Sequence, residues 1–255
     1  NEIVFVVDMI QSGVSRHLKI LLDSGLLTSR RDGSFTYYCA AKNDMAGSLI
    51  QLLEKNLGQK DITRQDLKKS REMIKIRQNR TKRFFKHIAP QWDRLKKEVL
   101  GDLDLKAMIK NRVIFSGYVA DLGCGTGELI EGLAKDTSHN LIGIDYSPEM
   151  LEQARLRLFR TNNAELRLGE LEHLPMKNEE IDTAIMNMVL HHISQPELSI
   201  AEAYRVLKPE GYFILSDFQK HDQKNINEIM GGSWLGFEKE KIKDWLTDTG
   251  FHLRA

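Results

Sequence analysis

Cysteine is almost missing from the 255 residues, which hold only Cys39 and Cys124, far apart in the chain. This excludes a disulfide framework and every cysteine-rich zinc module, and it predicts a reducing, cytoplasmic compartment without a metal centre. Five prolines and 18 glycines are too little punctuation for a low-complexity or collagen-like chain. No apolar run approaches the ~18–20 residues needed to span a bilayer. The apolar start Ile3 to Val7 lacks both a basic leader and a small-residue cleavage site. The expectation is a soluble, unexported protein with no membrane partner. What remains is ordinary globular material, 41% hydrophobic and 29% charged, enough for one large domain or two of usual size. No internal repeat is present.

The net charge of +1 hides an asymmetry. Residues 1–100 carry 20 lysines and arginines against 11 acids, and residues 101–255 carry 17 against 25. From Lys60 to Lys97 there are 14 basic residues and four acids, Asp61, Asp66, Glu72 and Asp93. A basic block ahead of an acidic one points to nucleic acid for the first part and another partner for the second. A charge run by itself is equally what a solvated helix face shows.

The stretch Glu2 to Asp8 is apolar enough for a buried helix, with Met9 to Ser12 as a short turn. A second helix follows: Val14, Leu18, Leu21 and Leu22 fall on one stripe and leave Gln11, Ser12, Ser15, Arg16 and Lys19 outward. Gly25 stops it, and Leu26 to Tyr38 reads as a hairpin turning at Asp32-Gly33. Two helices and a basic hairpin make a winged helix-turn-helix, with Arg16 and Gln11 reaching base edges of double-stranded DNA and Arg30 and Arg31 meeting phosphates. The run Ser12-Gly13-Val14-Ser15-Arg16-His17-Leu18-Lys19-Ile20-Leu21, then Gly25-Leu26, resembles the recognition helix of ArsR-type winged helix-turn-helix proteins over about 40 residues. His17 then reads as a phosphate contact or surface residue. The cysteine cluster by which many such proteins sense metals is lacking. The absent initiator methionine and leading helices imply an incomplete N-terminus. A winged helix used only for dimerisation is the alternative.

Ser48 to Leu57 reads as an amphipathic helix with Leu49, Leu52 and Leu53 on one face, and Asp61 to Lys86 as a longer basic one. Its partial stripe of Leu67, Ile74, Phe84 and Phe85 needs a partner, either the other domain or a second subunit, so a homodimer is expected. Pro90 breaks the pattern, a third helix ends near Lys110, and the boundary is expected between residues 60 and 90.

Beyond residue 113 strands and helices alternate. The strands read as Tyr118–Leu122, Leu141–Asp145, Ala164–Gly169, Asp182–Val189 and Tyr212–Asp217, with another starting at Phe251. Between them lie helices at Glu128–Lys135, Glu149–Leu158, Gln195–Leu207 and Glu238–Thr249. This implies an α/β fold, a doubly wound parallel sheet with ligands outside the carboxyl ends of its strands. At the first such end stands Asp121-Leu122-Gly123-Cys124-Gly125-Thr126-Gly127-Glu128. The spacing fails G-x-G-x-x-G, and an acid at the helix start repels a diphosphate but suits a cationic ligand. Asp145, ending the next strand, is placed to accept both ribose hydroxyls.

This constellation resembles the class I S-adenosylmethionine-dependent methyltransferases over about 140 residues, most closely the quinone-biosynthesis type. Asp121 to Gly127 is similar to the first motif, Ile144 to Met150 holds the acidic ribose contact Asp145, and Gly169 to Pro175 resembles the third motif with Glu170 facing adenine. Asn187 to Ile193 matches the fourth-strand motif, and Arg205 to Gly211 the turn before strand five. The resemblance implies a Rossmann-like domain that binds S-adenosylmethionine and releases S-adenosylhomocysteine. Its cofactor contacts would be Asp121, Gly123, Cys124, Gly125, Gly127, Asp145, Tyr146, Met150, Glu170, Leu171 and Asn187. The domains implied are a winged helix at 1–45, a helical connector at 46–112 and a methyltransferase domain at 113–255. The family's seventh strand is missing after Phe251, which implies a cut C-terminus.

A sulfonium methyl is already activated, so its transfer asks mainly for positioning and exclusion of water. The candidates facing it are His191 and His192 after strand four, as general base toward an oxygen or nitrogen nucleophile or as a hydrogen-bonded structural pair. Trp92 and Phe85 are candidates for a lid, or for plain packing. Arsenite methylation, which in the enzymes that perform it uses several thiols, is rejected on the two cysteines. Two functions stay open: a methyltransferase acting on a small-molecule acceptor and tethered to a DNA-binding module, and a regulator that only senses the cofactor.

Overall fold

The computed structural model describes residues 2–32, 35–41, 44–57, 61–113, 117–135 and 139–254. The chain divides into two compact units, Asn1–Gln78 and Asn79–Ala255, and the division falls inside one helix. The first unit holds α1 (Glu2–Val7), α2 (Gln11–Asp23), the strands β1 (Leu27–Asp32) and β2 (Phe35–Ala40), α3 (Asp44–Leu57) and the start of α4 (Asp61–Ile88). Gly25, at φ +71°, ends α2, and β1 pairs antiparallel with β2 from Leu27 opposite Ala40 to Asp32 opposite Phe35. A small antiparallel sheet therefore follows α2. The Gly33 half of the expected turn lies outside the described residues.

The second unit continues from α4 through a single 3-10 turn (Ala89–Gln91) into α5 (Trp92–Leu100) and α6 (Leu105–Lys110). Then come β3 (Tyr118–Leu122), α7 (Glu128–Ala134), β4 (Asn140–Asp145), α8 (Pro148–Arg157), β5 (Ala164–Leu168) and β6 (Ile181–Asn187). The series closes with α9 (Pro196–Val206), β7 (Leu207–Ser216), α10 (Lys224–Met230) and α11 (Lys239–Thr249). The five strands run parallel in the order β5-β4-β3-β6-β7. Alternate side chains of each strand point to opposite faces. Ala120 and Leu122 join Ile200, Ala203, Val206 and Leu246 of α9 and α11 on one face. Val119 and Leu141 meet Leu129, Ile130, Leu133 and Leu151 of α7 and α8 on the other. Each fully buried leucine or isoleucine in these layers contributes roughly 1.5–3 kcal/mol, so the sheet and its two helix layers form the rigid frame of the unit.

Several expectations need correction. α1 buries none of its residues and leaves Phe5 48% exposed, because a six-residue helix cannot turn five consecutive apolar side chains to one face. The third connector helix is two helices, broken at Gly101 in the left-handed region (φ +60°). β7 starts at Leu207 rather than Tyr212, because Leu207 pairs with Ile181 before a register shift at Ile181/Thr183. No strand forms at Phe251, whose ring packs against Phe213 and Tyr204 with centroids 5.1 and 5.0 Å away. α10 had no counterpart in the sequence reading. Among the described residues no helix is long and apolar enough to cross a membrane, and no group of three or more His, Cys, Asp or Glu is placed to hold a metal ion.

Candidate active site

The chain leaves the middle strand β3 toward β4 and leaves its neighbour β6 toward β7, in opposite directions, so a crevice opens at the carboxyl ends of β3 and β6. The glycine-rich turn fills that end. The amides of Gly123 and Cys124 donate to the Ile144 carbonyl at 2.7 and 2.9 Å, tying the turn to β4. Gly123 has φ +86°, and a Cβ there would stand 2.4 Å from the Val189 side chain, so only glycine fits. Gly127 caps α7 in the left-handed conformation at φ +77°.

Asp145 sits at the end of β4 with 7% exposure. Its two oxygens accept from the amides of Gly125 and Ser147, each at 2.9 Å, and Ser147 in turn caps α8 through the Met150 amide. Burial pushes its carboxyl up to about 6, although the amides of Ser147, Gly125 and Tyr146 pull the other way. Burial likewise pushes Asp121 up to about 7, with Lys96 lowering it and the Asp145 charge adding to the rise. The same burial, with these two charges, keeps the Cys124 thiol neutral. The Tyr146 hydroxyl is buried without a hydrogen-bond partner.

A roof lies over this floor. Phe85, Ala89 and Trp92 pack with Met150 and Met230. Polar latches hold the segment down: Lys82 pairs with Glu170 at 2.8 Å, Thr126 Oγ1 donates to Asp93 at 2.6 Å, the Arg157 guanidinium pairs with Asp93, and Lys96 pairs with Glu128. The rings of Phe85 and Trp92 lie 5.1 Å apart, and His192 lies 4.9 Å from Phe85 and 5.9 Å from Trp92. The space left is about 60 Å³.

Of the expected cofactor contacts, Asp121, Gly123, Cys124, Gly125, Asp145, Tyr146, Met150 and Asn187 line this one cavity, with His192, Phe85 and Trp92. Gly127, Glu170, Leu171 and His191 do not. Gly127 packs toward Ala154, Glu170 is engaged by Lys82, and Leu171 belongs to the core. The sequence reading missed Lys96 and the Asp93–Arg157 pair at the roof, while Glu128, read as the acid at the helix start, does line the cavity. Lys96 stands four residues after Trp92 and so shares its helix face, a signal that was legible.

Behind His192 lies His191, 1% exposed, with the two ring centroids 3.9 Å apart. His191 Nδ1 and Asp217 Oδ1 are 2.8 Å apart, and Asp217 also accepts from the His191 amide at 3.2 Å and its own neighbour Phe218 at 2.7 Å. His191 Nε2 and both ring nitrogens of His192 are buried and meet no partner in hydrogen-bonding geometry. Burial, and then the neighbouring His191, hold His192 neutral well below the usual imidazole range, against a small opposing pull from the Gly231 backbone.

In the other unit, Gln11, Ser12, Ser15, Arg16, His17 and Lys19 are all exposed on α2, while Val14 is buried. Arg30 and Arg31 lie in β1 opposite Tyr37 and Thr36, and their side chains are outside the described ones.

A family model described as a methyltransferase domain matches residues 120–215. The chain is similar to the demethylmenaquinone methyltransferase of Lactobacillus johnsonii, 31% identical over 137 residues, 50% of this chain and 56% of that protein. It is also similar to the arsenite methyltransferase of Halobacterium salinarum, 35% identical over 143 residues, 52% of this chain and 37% of that one. The chain thus covers less than two thirds of either relative. A solved complex of the Haloferax volcanii Trm112 methyltransferase activator with a putative methyltransferase shares the fold, with a TM-score of 0.58 at 20% identity over 67% of this chain and 77% of that one. Motif, topology and family model coincide on one segment: residues 120–215 match the methyltransferase-domain model and lie on the Rossmann-like parallel sheet that the solved neighbour shares.

Proposed function

We propose that the chain is an S-adenosylmethionine-dependent methyltransferase acting on a small molecule, coupled to a DNA-binding winged helix in its first unit. The observation that carries the enzymatic reading is the cradle at the end of β3 and β4: a glycine turn bent through positive φ under a buried Asp145. Its fit to the cofactor is chemical. Asp145 keeps lone pairs for two ribose hydroxyls, Tyr146 offers an unpartnered hydroxyl, and Asp121 with Asp145 favours a cation. The volume fits only once Phe85, Trp92 and Lys96 move outward, since small-molecule sites usually occupy ~300–1,000 Å³.

When bound, the cofactor supplies a methyl group on a positively charged sulfur. This chain's residues orient, desolvate and accept a proton. Phe85 and Trp92 exclude water, and His192, on the cavity wall with His191 behind it, stands where a nucleophile's proton can be taken. Transfer of label from S-adenosylmethionine into a metabolite extract of the source cells, with Asp145→Ala as blank, tests this reading. Label with wild type alone supports it, and no label with either protein removes the enzymatic part.

A second reading, a regulator that senses the cofactor, is favoured by one observation. α4 runs unbroken from Asp61 in the basic unit to the roof residues Phe84 and Phe85. For α2 and the hairpin, the support for DNA binding is the exposed row from Gln11 to Lys19 beside a basic strand. In that reading the domains are a winged helix at 1–45, a helical connector at 46–112 and the methyltransferase domain at 113–255, and the protein is a homodimer.

A further inference from the structure

We infer that Lys96, in the roof helix α5, holds the carboxylate at the amino-acid end of the cofactor, and so restricts the site to nucleoside ligands that keep a free α-carboxylate. This inference rests on the cofactor reading above. Lys96 lies ahead of every motif described for the sheet, and only the folding of the roof over the glycine turn brings it to the cavity.

The charges around the cavity are unequal. Three carboxylates line it, Asp121, Glu128 and Asp145, and among the described residues Lys96 is the one lysine or arginine that does. The cofactor is not a simple cation: its sulfonium and α-ammonium are positive, and its α-carboxylate is negative. The two positive groups suit the acids. The carboxylate, placed among three acids without a cation beside it, would be strongly opposed. Position agrees with charge. With the ribose at Asp145, at the tip of β4, the amino-acid end is left the part of the cavity between Asp121 of β3, Glu128 at the first residue of α7 and Lys96 on the roof. The Lys96 charge bears on Asp121 and on Asp93 as well as on Glu128.

Lys96 is also arranged for a change of partner. Its ammonium pairs with Glu128 Oε2, and its side chain keeps 21% exposure, so it is not locked in the interior. The other oxygen of the same carboxylate, Oε1, lies 3.6 Å from Lys106 Nζ on α6. Glu128 therefore stays balanced when Lys96 leaves it. A flexible four-carbon stem with three rotatable donors allows that turn. Trp92 stands one helical turn earlier on the same face of α5. A carboxylate held by Lys96 thus draws the roof back over the ligand, whereas a nucleoside without the carboxylate has no such hold on it.

The experiment uses the full chain and two probes, S-adenosylhomocysteine and its decarboxylated analogue, which differ only in the carboxylate. Calorimetry gives the affinity of each for wild type, Lys96→Met and Lys106→Met. Wild type should bind S-adenosylhomocysteine about 10–100-fold more tightly than the analogue, the size of a charge-assisted contact. In Lys96→Met the two probes should bind within about threefold of each other. Lys106→Met takes an equal charge from Glu128 without lining the cavity, and should keep the wild-type preference. Lys96→Gln serves if Lys96→Met does not fold. Wild type without a preference for S-adenosylhomocysteine overturns the inference, as does a preference that survives in Lys96→Met. An equal loss in Lys106→Met overturns it too, since the general field of the site and not a contact would then set the preference. Wild type that binds neither probe removes the cofactor reading itself.

Discussion

Asp145 and Asp121 are two carboxylates buried at the floor of one crevice, held at about 6 and about 7 against an ordinary value of 3.8. Between these limits the folded protein binds more protons than the unfolded chain, so their contribution to stability is greatest on the acid side and declines as pH rises toward 7. A cationic ligand reverses the preference, because it favours the ionised pair. Affinity for S-adenosylmethionine should therefore increase as pH rises from about 5 to 7, with proton release visible as a buffer-dependent binding enthalpy. A flat pH profile would contradict that role. Asp145→Ala removes two charge-assisted hydrogen bonds and should weaken binding by about 10–100-fold or more, read by calorimetry. Gly123→Ala forces a Cβ into Val189 at positive φ and should cost about 1–3 kcal/mol in thermal unfolding. Both residues were legible because glycine and an acid in a fixed motif state their chemistry openly. Asp217 was not, since nothing near residue 217 in the sequence announces a partner at residue 191.

At the scale of elements, the carboxyl ends of β3, β4, β5 and β7 were read to within a residue because glycine or an acid stands at each. The errors fall where periodicity is silent. α10 is short and polar, and Phe251 is an apolar residue used for ring packing rather than for pairing. The roof from Phe84 to Lys96 is the element on which function turns, since ligand entry requires it to lift. Trp92 is 7% exposed, and lifting carries its indole into water. Adding S-adenosylhomocysteine should then shift tryptophan emission to the red, and Trp92→Phe should abolish the shift while Trp234 and Trp245 remain. An unchanged spectrum in wild type would mean that the roof stays closed.

For the whole molecule, the charge split read at residue 100 falls inside the second unit: residues 1–78 carry 13 lysines and arginines against 9 acids, and residues 79–255 carry 24 against 27, so the asymmetry between the two units is milder than the one composition suggested. Composition could not give strand order, which depends on pairings between distant segments. In the first unit several large apolar side chains remain exposed, among them Ile10, Leu52 and Ile76 at 76%, 58% and 56%. A self-associating protein would cover such residues, and sedimentation at micromolar concentration should show a dimer. A duplex bound through α2 should be released steeply by salt and weakened by Arg16→Ala, as read by fluorescence anisotropy. The absence of any complex at low salt would count against that role.

The latches of the roof are ion pairs between partly exposed groups, with Lys82 and Glu170 each 44% accessible. Dissolved ions screen such pairs within about 8–10 Å. Osmotic stress that concentrates the solution would thus loosen the way in for the cofactor. Ionic strength would then act as a throttle on traffic through the crevice.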